Sequence, residues 1–100
     1  MNHIIGIDID GRGSMAVTPS MLRVDAGDTV QWCCPSGPFT IMLKEGTPFI
    51  KGMDAFSCQG TPSSPLTVAQ NVKGTYHYAV AVYDGSRLYM DAGCPMLLAN

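Results

Sequence analysis

Alternation of apolar and polar positions runs through most of the chain, and it is clearest in segment 19–32, PSMLRVDAGDTVQW. Leu22 and Val24 alternate with polar neighbours, and Val30 and Trp32 resume the alternation after an Ala-Gly-Asp turn. Apolar side chains at every second position lie on one face of a β-strand. The pattern therefore predicts two half-buried strands whose apolar faces meet the same core.

The same alternation predicts further strands. The strongest is 75–83, where Tyr76, Tyr78, Val80 and Val82 form the inner face. Other predicted strands, separated by turn-forming residues, span 3–9, 15–18, 39–43, 66–69, 88–90 and 96–99. No part of the chain has helical periodicity. Together these short strands predict an all-β fold with about seven or eight strands, in a sandwich or barrel.

Glycine and proline set segment 44–65 apart from the rest of the chain. Six of these residues occur between Gly46 and Pro65, which predicts a long connection with one short turn of helix near 53–56. Long connections in small domains are often functional or cross between sheets. With 100 residues in all, we expect a single domain, 1–100, that contains this connection.

Composition limits the possible partners. Only 14% of the residues are charged, against about 25% in an average chain, which favours a surface rich in small polar and apolar groups. The net charge is -2 and the basic residues are scattered, so nucleic-acid binding is not expected. No apolar run approaches the ~20 residues of a membrane span. If Met1 is the native start, we expect a cytoplasmic protein.

The four cysteines favour thiols over two disulfides. Cys33 and Cys34 are adjacent, so on a strand their side chains point to opposite faces and cannot readily share a partner. Cys58 and Cys94 lie in loop-like surroundings. In a reducing compartment, buried thiols of this kind behave as small apolar residues.

Three motifs then appear in a recognisable order. They are Pro19-x-x-Leu22-x-Val24-x-Ala26-Gly27-Asp28-x-Val30-x-Trp32, Pro38-Phe39-Thr40-Ile41 and Gly74-Thr75-Tyr76-x-Tyr78. This series resembles the cupredoxin (plastocyanin-like) domain over roughly residues 3–99. The resemblance implies a Greek-key β-sandwich of two sheets. In the family, one end of such a sandwich typically holds a copper ion that transfers electrons.

The resemblance also shows which copper ligands this chain lacks. A type-1 centre needs two imidazoles and one thiolate, usually with a weak thioether. Phe39 stands where the family has the first histidine, and Val80 stands where it has the thiolate. The loop that would supply the remaining ligands, 83–94, contains no histidine, and only Met90 and Met96 offer thioethers nearby. We therefore expect no type-1 copper site, with hydrocarbon filling the position of the metal.

The favoured hypothesis for function is a copper-free binding or protein-interaction module, possibly one that self-associates, with no cofactor. Loops 34–38 and 83–95, together with the 44–65 connection, would carry recognition on a rigid scaffold. The candidate contact residues are Tyr83, Leu88, Tyr89 and Met90, because aromatic residues and methionine are enriched at interfaces. No catalytic constellation is recognisable with only two histidines, so an enzyme is not expected.

The alternative hypothesis is a protein that handles a soft metal, Cu(I) or Zn(II). Cys34 and Cys94 precede the strands at 39–43 and 96–99, so both could approach the same end of the sandwich, with Met96 or Met90 adding a thioether. Thiolate and thioether ligands suit Cu(I). No Cys-x-x-Cys spacing or nearby histidine supports this alternative.

Overall fold

β-Strands form all the regular secondary structure of the described residues, which are 1–10, 12–50, 55–58, 63–91 and 95–99 of a computed structural model. The strands are β1 (Asn2–Ile9), β2 (Met15–Thr18), β3 (Met21–Val24), β4 (Thr29–Cys33), β5 (Phe39–Leu43), β6 (Ala55–Cys58), β7 (Leu66–Thr67), β8 (Gly74–Tyr83), β9 (Leu88–Asp91) and β10 (Met96–Ala99). The all-β prediction is confirmed.

These strands build two mixed sheets. The smaller sheet has the order β2-β1-β4-β7, and the larger has the order β3-β10-β8-β5-β6, with β9 also paired to β8. β1 pairs with β4 in parallel and β10 pairs with β3 in parallel, whereas β8 runs antiparallel to its three neighbours. β10 pairs with the first half of β8 and β9 pairs with the second half, both on the side away from β5. β8 therefore has a neighbouring strand on each side along most of its length.

Segment 19–32 crosses from one sheet to the other. β3 belongs to the larger sheet and β4 to the smaller, yet Val24 and Trp32 are both buried. The turn between them requires Gly27, whose φ of 87° is costly for other residues. The Gly27 amide donates to the Val68 carbonyl at 2.9 Å, which fixes the turn to the end of β7. The prediction that both strands face one core is confirmed.

Trp32 lies at the centre of that core with an exposed fraction of 0%. Its ring packs edge-on against Tyr78 at a centroid distance of 5.5 Å, and Phe56 and Phe49 lie 5.5 and 6.1 Å away. The fully buried aliphatic side chains around this aromatic group are Ile5, Ile7, Val30, Ile41, Val80, Val82 and Leu97. The predicted inner face of β8 is thus confirmed, with Tyr76 packed at the core margin.

The prediction of a short helical turn near 53–56 is wrong for the residues that the structure describes. Ala55 and Phe56 lie in strand β6, which pairs with β5, while residues 51–54 fall outside the described part of the chain. The glycines and prolines on both sides conceal this four-residue strand, and contact between Phe56 and Trp32 explains why it forms. The described strands accordingly number ten, more than the seven or eight expected.

Candidate functional site

Hydrocarbon fills the positions where the family resemblance would place copper ligands. Phe39 is 2% exposed and Val80 is 0% exposed. They lie on adjacent strands, where Phe39 pairs with Val82 and Val80 pairs with Ile41. These side chains belong to the main apolar cluster. The hydrocarbon side chains of Phe39 and Val80 have no donor atom to offer a copper ion.

Both histidines are engaged with carboxylates elsewhere. His3 Nε2 lies 2.9 Å from Asp28 Oδ2, and His77 Nδ1 lies 2.9 Å from Glu45 Oε2. Within the described residues, no group of three or more His, Cys, Asp and Glu side chains could hold a metal ion. The described side chains therefore do not fit a type-1 copper centre.

The two described candidates for a soft-metal site, Cys34 and Met96, are not brought together. Cys34 is 1% exposed in the core. Met96 lies at the other end of β8, opposite His77, and it shares the outer face of the sheet because its neighbour Leu97 is the buried one. Cys94 lies outside the described residues. Cys33, Cys34 and Cys58 are thiols rather than disulfides.

The turn between β8 and β9 is held in one conformation by Asp84. Its Oδ1 accepts hydrogen bonds from the Ser86 and Arg87 amides, both at 2.9 Å, and its Oδ2 accepts one from the Tyr89 hydroxyl at 3.1 Å. The two backbone donors lower the pKa of Asp84 to about 2, and the bond to Asp84 raises the pKa of Tyr89. The turn is therefore preorganised near neutral pH.

Three of the four candidate contact residues share the outer face of this hairpin. Tyr83, Leu88 and Met90 are 49%, 65% and 70% exposed. Leu88 pairs with Tyr83, and Met90 pairs with Ala81. Tyr89 is the exception, because it pairs with Val82 and points between the sheets, where its ring is 3.3 Å from the position of a Cβ at Gly13.

A shallow depression of about 130 Å³ lies beside these exposed residues. Its lining residues are Pro38, Phe39, Thr40, Ser57, Ala81, Tyr83 and Leu88. The Tyr83 amide donates to the Pro38 carbonyl at 3.0 Å, which joins loop 34–38 to the β8–β9 hairpin. We call the depression together with Tyr83, Leu88 and Met90 the hairpin face.

Thr40, Ser57 and Ala81 belong to this surface but carry no functional signal in the sequence. Small residues become recognisable as the floor of a depression only when the strand pairing is known. Thr40 pairs with Ser57 of β6 and with Ala81 of β8, and β6 falls within the segment interpreted as a connection. In the sequence, only the strand alternation around Ala81 indicates that this residue faces outward.

Comparison with solved structures identifies the architecture. The chain is similar to a novel purple cupredoxin from Nitrosopumilus maritimus, with 20% sequence identity and a TM-score of 0.51 over 98% of this chain and 99% of that one. The fold is cupredoxin-like. A pseudoazurin from Sinorhizobium is also similar, with 17% identity and a TM-score of 0.51 over all of this chain and 75% of the other.

Other comparisons add no family. No family model matches the chain, and no curated protein matches it. The described part of the chain contains no helix that is long and apolar enough to cross a membrane. The cupredoxin-like sandwich is the scaffold that carries the hairpin face.

Proposed function

We propose that this protein is a copper-free cupredoxin-like interaction module that binds a protein partner through the hairpin face. The observation that carries this proposal is the exposure of Leu88 and Met90, at 65% and 70%, beside a depression on a rigid hairpin. Apolar side chains that project from an ordered scaffold bind with a small loss of conformational entropy.

The chemistry of the copper end supports a binding role over electron transfer. Phe39 and Val80 pack as core residues, so the end of the sandwich that holds metal in the family holds a packed interior here. Above it, Tyr83 donates its hydroxyl to the Gly85 carbonyl at 3.1 Å, which leaves the ring face available for contact. Aromatic residues and methionine are typical of the buried centre of an interface.

Site-specific photocrosslinking in cells tests the proposed surface. A photoreactive amino acid at position 88 should give one discrete adduct. The matched control places the same group at Ala16, which is exposed on β2 of the smaller sheet, and should give none. Absence of an adduct at 88, or equal labelling at both positions, would contradict the proposal.

Anaerobic metal titration tests the copper-free part of the proposal. Fully reduced protein should show no stoichiometric, sub-micromolar binding of Cu(I) or Zn(II), because the described residues bring no ligand set together. Tight binding that disappears in Cys94→Ser would overturn this part and favour the soft-metal alternative. Cys33→Ser serves as the matched control for loss of one thiol.

A further inference from the structure

Methionine is concentrated on the outer face of the larger sheet. Six of the seven methionines lie in the part of the chain that the structure describes, and four of these six share this face. Met21, Met42 and Met90 are 56%, 53% and 70% exposed, and Met96 is half-buried beside the inward-facing Leu97. We call these four residues the methionine stripe.

The stripe follows the outward positions of strand β8. Three successive outward positions each pair with a methionine of a neighbouring strand: Met96 pairs with His77, Met42 with Ala79 and Met90 with Ala81. The fourth member, Met21, pairs with Met96. Because outward residues of one strand repeat every ~7 Å, the four thioethers form a band across the face rather than isolated positions.

Small neighbours leave two members of the stripe open to solvent. Met42 and Met90 lie beside Ala79 and Ala81, whose side chains are single methyl groups. A thioether reacts with an oxidant according to its exposure, so these two side chains are accessible to a small peroxide. Met15 provides the contrast, since it is partly buried and packs against the core.

We propose that the methionine stripe is an oxidation site that reacts with hydroperoxides. A lone pair of the thioether sulfur attacks one oxygen of hydrogen peroxide, so that an S–O bond forms and the O–O bond breaks. The sulfur is oxidised by two electrons to a sulfoxide, and the peroxide is reduced to water. A dithiol reverses the step through a sulfoxide reductase, because the sulfoxide oxygen leaves as water while the dithiol becomes a disulfide.

Oxidation of Met42 and Met90 releases the partner of the hairpin face. Met90 belongs to that face, and Met42 lies two residues beyond Thr40, which lines the depression. A sulfoxide is polar, so a partner that covers it must remove water from the new oxygen. This inference rests on the proposed function and adds its regulation. The fold itself is retained, because the oxidised side chains are exposed rather than packed in the core.

Peptide mapping by mass spectrometry tests the oxidation site on the purified protein. During treatment with hydrogen peroxide, Met90, Met42 and Met21 should each gain one oxygen atom at least about fivefold faster than Met15. The circular dichroism spectrum should stay that of a β-sheet protein, and sulfoxide reductase with a dithiol should remove the added oxygen. Oxidation of Met15 at the same rate, or loss of the sheet signal, would overturn the inference.

Photocrosslinking through position 88 tests release of the partner. Brief treatment of the cells with hydrogen peroxide should lower the adduct yield by about tenfold or more, because the interface would have to bury a sulfoxide. In Met42→Leu combined with Met90→Leu, the ratio of treated to untreated yield should stay near one. Met15→Leu, the same change at a packed position, should show the fall of the wild type. An equal fall in the double leucine variant would contradict the inference.

Thiol oxidation is the competing explanation, and Cys58→Ser separates it from thioether oxidation. Cys58 pairs with Phe39, which lines the depression, so oxidation of this thiol would also act near the hairpin face. Cys58→Ser should respond to peroxide as the wild type does. If this variant loses the response while the double leucine variant keeps it, the oxidation site is the thiol and the stripe is overturned.

Failure of the oxidation site is distinguishable from failure of the interaction module. A discrete adduct in untreated cells that persists after Met42 and Met90 are oxidised supports the proposed function and overturns this inference. Without an adduct in untreated cells, the proposed function and the release of a partner both fail. The peptide map of the purified protein then decides whether the stripe is the oxidation site.

Discussion

Asp28 connects three parts of the chain through one carboxylate. Its Oδ2 accepts a hydrogen bond from the Asp25 amide at 3.0 Å and contacts His3 Nε2 at 2.9 Å. The Asp25 amide, followed by His3, lowers the pKa of Asp28 below its usual value of 3.8. Since the folded state favours the charged form, Asp28 stabilises the fold above that value, and the stabilisation is lost as the pH falls.

Asp28→Asn should lower the free energy of unfolding at pH 7, because the neutral amide is a weaker acceptor for both partners. The difference from the wild type should shrink as the pH drops below about 4, where the unfolded chain takes up a proton. Urea denaturation from pH 7 to pH 2.5 measures this convergence. Asp8→Asn, an equal change of charge at an exposed position of β1, should leave stability nearly unchanged. A constant difference across the pH range would refute the role of the carboxylate.

Gly37 fits beneath the β8–β9 turn because it has no side chain. A Cβ at this position would overlap the Tyr83 carbonyl oxygen. Gly37→Ala should therefore destabilise the protein by about 1–3 kcal/mol and reduce photocrosslinking through position 88. Gly46→Ala is the control, because Gly46 has a positive φ of 89° but no atom within 4 Å of the place that a Cβ would take. Equal losses in chemical denaturation would assign the effect to backbone strain rather than overlap.

Tyr89 lies on the opposite face of β9 from Leu88 and Met90. The sequence indicates a short strand at 88–90 and a surface rich in aromatic residues, but it does not specify the partner strand. Pairing with Val82 directs Tyr89 inward, and the bond to Asp84 orients its hydroxyl. Leu88 and Met90 lie on the outer face of the hairpin.

At the scale of elements, β10 shows how one short strand secures the larger sheet. It pairs with both β3 and β8, and its Leu97 is 0% exposed. Leu97→Ala should cost about 2–5 kcal/mol, because removal of a buried side chain leaves a cavity. Leu88→Ala should change stability by less than about 0.5 kcal/mol, since Leu88 is 65% exposed. Thermal unfolding that ranks the two variants equally would contradict this assignment of the core.

Strands with long alternation were predictable, whereas short strands and their pairing were not. Strand β8 repeats an apolar residue at every second position from Tyr76 to Val82, which is sufficient to predict its inner face. β6 contributes one aromatic contact, from Phe56 to Trp32, and four residues cannot establish a period. β3 and β4 lie in different sheets because they pair with different strands. The alternation predicts that each strand has an inward apolar face, but it does not specify which sheet the strand joins.

The sandwich as a whole followed from the sequence because its motifs and its alternation agree. Trp32, Phe39 and Tyr78 lie in the core as those patterns predict. The hairpin face could be only partly predicted, since the depression depends on the adjacency of Thr40, Ser57 and Ala81 across three strands. Which residues lie side by side on neighbouring strands depends on how the strands pair. The local pattern of apolar and polar residues does not specify that pairing.

The burial of Trp32, the only tryptophan of the chain, gives the protein a built-in optical probe. An indole enclosed by three aromatic rings is shielded from water, so its fluorescence should be blue-shifted and poorly quenched by acrylamide. Because Trp32 belongs to the smaller sheet and its ring packs against Phe56 and Tyr78 of the larger sheet, red-shifted emission would report separation of the two sheets. Because Trp32 is buried in the core, its emission should not change when a partner covers the outer surface of the protein.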